Sequence, residues 1–214
     1  MNQRIYLIRH GQREDFEDPT WPKRAARPYD TPLSATGFRQ AADVGRALKE
    51  QGVQALYSSP FLRALQTADA IAAALDLPIR VEPAFSEWLN PVWWSTPPQL
   101  PNAAEAHRQF PRVDLSYQPM GQAVYPEVDE TKEVFQRVGQ ALAVILERTP
   151  PEHVAIVAHG SPLGQSCGHL IPNVPGVQMQ VASITRVDRT GDRFQLIHSG
   201  IEHLRDQNRE VRFH

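Results

Sequence analysis

Val154-Ala155-Ile156-Val157-Ala158 is an uninterrupted apolar run. A strand buried on both faces has this pattern, because it must meet hydrophobic layers above and below. Ile5–Ile8, Ala55–Tyr57 and Ile79–Val81 read as further short strands. Amphipathic stretches lie between them. Ser34 can cap a helix running to about Gln51, with Phe38, Ala41, Ala42, Gly45 and Leu48 on one face and Gly52 at its end. A second helix follows Pro60, turns Leu62, Leu65, Ala68, Ile71, Ala72 and Leu75 inward, and is closed by Pro78. A third begins near Asp129 and carries Val134, Phe135, Val138, Ala141, Leu142, Ile145 and Leu146 on one side. Another starts at Ser161, and Val181–Val187 with Phe194–His198 around Thr190-Gly191-Asp192 reads as a hairpin. The alternation predicts an α/β fold, a mainly parallel sheet flanked by helices. Gly160, Gly164 and Gly168 recur every four residues, which predicts a helix face packed closely on the sheet.

The 19 prolines among 214 residues test that reading, since proline excess can signal disorder. With 41% hydrophobic residues and a net charge of −2, the chain instead has the balance of a folded protein. Residues 19–32 hold four prolines and residues 83–126 hold eight, and Trp21, Trp88, Trp93 and Trp94 lie in the same segments. Ordered insertions at about 14–33 and 84–127, the second a proline- and tryptophan-rich lid, are therefore expected within one domain spanning 1–214. The near-neutral charge argues against nucleic acid or a membrane surface as partner. No apolar run approaches the roughly 20 residues of a membrane span. Cys167 is the sole cysteine, so no internal disulfide forms and a cytoplasmic location is expected.

Chemistry concentrates where strands end. Ile5–Ile8 runs into Arg9-His10-Gly11, and Ala155–Ala158 runs into His159-Gly160. Ligands of open α/β sheets bind beyond the carboxyl ends of strands. Each pattern places an imidazole there, with a glycine that allows a tight exit and close backbone approach. Arg9 and Arg13 flank the first histidine, and Arg63 opens the helix after Ser58-Ser59-Pro60. Alone, each arginine is an ordinary surface charge. Converging, they would form a phosphate site, because guanidinium matches phosphate oxygens in bidentate fashion. The same charges disfavour a metal, and no metal-ligand spacing is present. A cysteine phosphatase needs an arginine six residues after its cysteine, where Asn173 stands, and no Gly-Lys pair supports a Walker-type loop.

Leu7-Ile8-Arg9-His10-Gly11, Tyr57-Ser58-Ser59-Pro60 with Arg63-Ala64-Leu65-Gln66-Thr67-Ala68, Glu87-Trp88, and Val157-Ala158-His159-Gly160-Ser161 together resemble the histidine phosphatase superfamily, which includes the phosphoglycerate mutases. Arg13 and the stretch Arg80-Val81-Glu82-Pro83 before Glu87-Trp88 are most similar to the branch containing the phosphatase domains of the suppressor of T-cell receptor signalling proteins. The mutases usually carry Ser and then Asn where Gln12-Arg13-Glu14-Asp15 stands, which counts against mutase activity. The resemblance implies a phosphoglycerate mutase-like fold and a metal-independent phosphomonoesterase without cofactor. His10 would be the nucleophile that forms a phosphohistidine. Arg9, Arg13, Arg63, His159 and Gly160 would hold the phosphate, and Glu87 would serve as acid and then base.

Three functions follow in order: a hydrolase of small phosphorylated substrates, a mutase-type phosphotransferase, and a silent scaffold for phosphorylated partners. Residues 84–127 pair Arg108 and Arg112 with Glu87, Glu105, Asp114 and Glu127, so this lid is net acidic as well as aromatic. That composition points to monophosphates with a weakly charged, aromatic leaving group. A homodimer is left open.

Overall fold

The structure is a computed structural model that describes residues 2–149, 152–174 and 176–209, so the ends of the expected 1–214 unit lie outside it. Strands β1 (Asn2–Arg9), β2 (Val53–Ser58), β3 (Ile79–Val81), β4 (His153–Ala158), β5 (Ile184–Thr190) and β6 (Arg193–Gly200) form one sheet. Their order is β3-β2-β4-β1-β5-β6. The first four are parallel, and β5 and β6 add antiparallel at one edge. The sheet is thus mainly parallel, as the apolar runs predict. The closing hairpin turns at Gly191-Asp192, where Gly191 has φ +61° and its missing Cβ removes the penalty.

The helices are a single turn α1 (Glu14–Glu17), α2 (Ala35–Leu48), α3 (Leu62–Leu75), α4 (Ala103–Gln109), α5 (Phe135–Arg148) and α6 (Gly160–Leu170). Ser34 caps α2 by accepting from the Gly37 amide, as its residue type predicts. Alternation along β1 divides the core. Tyr6 and Ile8 meet Val44 and Leu48 of α2 and Leu65 and Ile71 of α3, whereas Ile5 and Leu7 meet α5 and α6 through Val138, Leu142 and Leu163.

This layering makes the site. β1 exits towards α2 on one face, and its neighbour β4 exits into α6 on the other, so the topological switch point, where ligands of such sheets bind, falls between their carboxyl ends. The register pairs Arg9 with Ala158. His10 and His159, each one residue further on, must therefore emerge side by side.

Two sequence expectations need correction. Phe38 is 48% exposed and Ala42 also faces out; α2 instead buries Gln40 and Asp43. Both polar groups are paired, as buried polar groups must be. Gln40 accepts from the Gln12 amide (2.8 Å) and donates to Asn208 O (2.9 Å), while Asp43 accepts from Arg205 N and Asn208 Nδ2. The C-terminal segment covers this face, which no pattern within α2 reveals. The second correction concerns α6. A Cβ on Gly164 would meet nothing within 4 Å, and one on Gly168 would make ordinary contact with Phe135 at 3.7 Å. Leu163, Cys167 and Leu170, not the glycine row, pack into the core.

Candidate active site

His10 is buried, with its ring Nδ1 2.7 Å from Gly11 O and its Nε2 3.2 Å from Arg63 Nε. A carbonyl only accepts and a guanidinium only donates, so Nδ1 carries the proton and Nε2 keeps its lone pair. Burial, followed by the positive charges of Arg63 and Arg9, holds the His10 pKa well below the ordinary imidazole range. The ring is neutral and its free nitrogen faces the arginines. Gly11 is required for this exit: a Cβ there would stand 2.6 Å from Gly37 O. Gly160 carries no such demand, since its Cβ would lie 3.6 Å from Arg9 Cζ, an ordinary contact.

His159 occupies the N-cap position of α6, just beyond the tip of β4, with its ring centroid 5.1 Å from that of His10. Ser59 Oγ lies 2.8 Å from His159 Nε2, and the Phe61 ring meets the imidazole edge-on at 4.9 Å. Burial, then Arg63, His10 and Arg9, lower its pKa well below the usual value. His159 Nδ1 has no hydrogen-bond partner among the described residues, and Glu87 Oε2 stands 3.8 Å away. Glu87 follows the short turn Pro83–Phe85 and accepts from the Trp88 amide at 3.0 Å.

Arg63 sits in the first turn of α3, fully buried, with its guanidinium 4.6 Å from the Phe61 ring centroid. Burial, with repulsion from Arg13, brings its pKa down to about 10, which still leaves it charged at neutral pH. Arg9 donates through Nη1 to Met179 O, while its buried Nε has no partner among the described residues. Arg13 differs. Its guanidinium is held by Asp15 at 2.8 and 2.5 Å and lies over Phe16, with 31% of the side chain exposed. It still adds positive potential at both histidines. The structure therefore gathers His10, His159, Arg9, Arg63, Glu87 and Gly160 in one place, with Arg13 tethered at the rim.

Several contributors escape a reading of the sequence alone. Thr67 Oγ1 accepts from the Gly11 amide (3.2 Å) and donates to Arg63 O (2.8 Å), tying α3 to the loop after β1. Its position four residues after Arg63, one helical turn, was the available signal. Ser59 has only its place in the Ser-Ser-Pro junction to suggest contact with His159. The proline-rich segments touch each other through Tyr29 OH and Ser95 Oγ at 3.0 Å. Trp94 packs 5.7 Å from Phe61, which itself backs His159. Trp93 meets Trp88 at 5.1 Å and remains 57% exposed.

Residues 5–202 match the family described as histidine phosphatase superfamily (branch 1). The chain is 29% identical over 211 residues to the ecdysteroid-phosphate phosphatase of Drosophila melanogaster, an alignment covering 81% of this chain and 28% of that protein. It is 31% identical over 156 residues to human ubiquitin-associated and SH3 domain-containing protein A, covering 68% of this chain and 23% of that one. This likeness falls in the branch that the sequence pointed to. The chain thus spans about a quarter of the length of these relatives. The crystal structure of the Bombyx mori ecdysone phosphate phosphatase with tungstate superposes with a TM-score of 0.72 at 22% identity over 92% of both chains, a likeness of fold. Paired strand-tip histidines, the arginines around them and a match across nearly the whole sequence agree: the chain belongs to branch 1 of the histidine phosphatase superfamily.

Proposed function

We propose that the protein is a phosphomonoester hydrolase that works through a phosphohistidine on His10. The observation that carries this reading is the fixed tautomer of His10, which keeps a lone pair on Nε2 beside buried guanidinium groups. In the reaction, Nε2 attacks phosphorus as the bond to the leaving oxygen breaks. Phosphate oxygens take over the Arg63 donor and engage Arg9, whose Nε is unpartnered among the described residues. Glu87 gives its proton to the leaving oxygen, and the resulting carboxylate then draws a proton from water as that water attacks the phosphohistidine. The N–P bond breaks, inorganic phosphate leaves, and His10 and Glu87 return to their starting forms. Acid-base assistance of this kind is worth about 10²–10⁴-fold. His159, held by Ser59, orients the phosphate beside Gly160.

A monophosphate with an apolar, aromatic leaving group suits the net-acidic, tryptophan-rich segment 84–127, which offers little attraction for a second phosphate. One relative is named for a phosphorylated steroid, ecdysteroid phosphate. We place the chain in a reducing cytoplasm, as its single cysteine, Cys167, suggests.

The test is direct. Rapid alkaline quench of enzyme mixed with 32P-labelled substrate should trap alkali-stable, acid-labile phosphate on one histidine, and His10→Ala should abolish both label and turnover. Full activity of His10→Ala ends the proposal. Release of an isomerised product without inorganic phosphate would make the chain a mutase, and binding of phosphate without turnover would make it a scaffold. Faster hydrolysis of an aryl phosphate than of a sugar bisphosphate supports the substrate class, and the reverse overturns it.

A further inference from the structure

Glu87 lies in irregular chain after the short turn Pro83–Phe85 and does not adjoin a strand end or a long helix. Its position depends on a pair of residues remote from phosphate. Arg137, on α5, is 8% exposed, and Glu127, at the end of the proline-rich segment, is 3% exposed. Arg137 Nε meets Glu127 Oε1 at 2.5 Å and Nη2 meets Oε2 at 3.0 Å, a side-on fork. The remaining donor capacity of the same guanidinium goes to the loop that carries Glu87. Nη1 donates to Ala84 O at 2.5 Å, and Nη2 donates to Glu87 O at 3.2 Å. Glu127 completes the grip from the other direction. Its Oε2 accepts from Leu89 N (2.9 Å), its amide donates to Leu89 O (3.0 Å), and its carbonyl accepts from Trp88 Nε1 (2.9 Å).

Residues 84 to 89 are thus held at Ala84, Glu87, Trp88 and Leu89 by the side chains of Arg137 and Glu127 and the backbone of Glu127, none of which touches a reacting atom. A buried ion pair carries a desolvation cost and is weak evidence of stabilisation in itself. Here its hydrogen bonds converge on one loop and on the backbone of the proposed proton donor. We infer that Arg137 and Glu127 are positioning residues for Glu87, setting the distance of its carboxyl group from the leaving oxygen. The inference rests on the reading of Glu87 as general acid. Displacement of about 1 Å at such a group costs about 10²-fold.

The experiment compares kcat/KM for p-nitrophenyl phosphate, whose leaving group needs little protonation, with kcat/KM for an alkyl phosphate, whose leaving group needs much. This ratio reports steps up to leaving-group departure. Arg137→Lys keeps the charge but cannot span a carboxylate and two carbonyls as guanidinium does. It should lose about 10- to 100-fold on the alkyl ester while changing much less on p-nitrophenyl phosphate. Inhibition by inorganic phosphate should stay unchanged, and Glu127→Gln should behave in the same direction. Combined with Glu87→Gln, the Arg137→Lys change should add no further leaving-group dependence. An equal loss on both esters, or weakened phosphate inhibition, would reveal a general structural defect and overturn the inference. So would full additivity with Glu87→Gln. If Glu87→Gln alone leaves the leaving-group dependence flat, the acid role itself fails and the positioning role falls with it.

Discussion

The floor of the pocket and the wall that bears Glu87 are held by different means. On the floor, a parallel ladder pairs Arg9 with Ala158 and delivers His10 and His159 together. Side-chain contacts then refine the arrangement, with Arg63 on His10 and Ser59 on His159. The wall has no ladder. Several of its backbone groups are satisfied by buried charged side chains. Glu82, 0% exposed, accepts from Ala84 N, Met120 N, Gly121 N and Tyr117 OH, while Arg137 and Glu127 take the next stretch of loop. Buried backbone donors and acceptors must be paired. A long irregular segment packed onto the body therefore needs side chains to supply what a neighbouring strand would provide. Regular structure makes the floor tolerant of change outside its contacts, whereas the wall depends on a few carboxylates.

The strongest way to break the contrast is to remove the cation of the floor. Arg63→Met should lower kcat/KM about 10²–10³-fold for every monoester, whatever its leaving group, because it removes charge stabilisation at the phosphate. It should also move the acidic limb of the pH profile upward, since burial and then the charge of Arg63 depress the His10 pKa. A profile that stays in place would separate Arg63 from His10.

Proton linkage gives the next effect. His10 and His159 are held well below the ordinary imidazole value, and burial brings His203 down to about 4. Unfolded imidazoles titrate near 6.5, so below about 6.5 the unfolded chain binds more protons than the folded one. The stability present above that pH is lost as pH falls towards the folded values, at about 1.4 kcal/mol per pH unit for each group while it is neutral only when folded. Urea unfolding at pH 7.5, 6 and 5 measures this loss, and equal stabilities would contradict the buried, neutral floor.

Glu82→Gln probes the wall alone. It replaces an acceptor facing backbone amides by a donor and should cost about 1–3 kcal/mol in urea unfolding. Inhibition by inorganic phosphate should not change, and a weakened phosphate site would merge the two regions into one. The smallest effect is expected at an exposed helix position: Phe38→Ser should alter stability by no more than about 0.5 kcal/mol. A loss of several kcal/mol would restore Phe38 to the core.

Much of this molecule was legible in its residues. The apolar runs at Ile5–Ile8 and Val154–Ala158, the cap at Ser34 and the Gly191 turn each act within a few positions, so their signals sit where their effects do. The histidines that follow the two runs were legible for the same reason, because strand ends and helix starts are local events. Helix α2 marks the boundary. Its period was readable, but its phase was not, because Asn208 and Arg205 cover Gln40 and Asp43 from far along the chain.

Sequence by itself therefore determined the alternation of strands and helices and the residue types at their tips. Tertiary structure decided which tips became neighbours, which nitrogen of His10 kept its lone pair, how Asp15 tethers Arg13, and how Glu82, Glu127 and Arg137 hold the wall. The division has one cause. Local structure is set by dihedral preference and by contacts one turn or one pleat apart, whereas these hydrogen bonds join groups whose proximity exists only once the layers have packed.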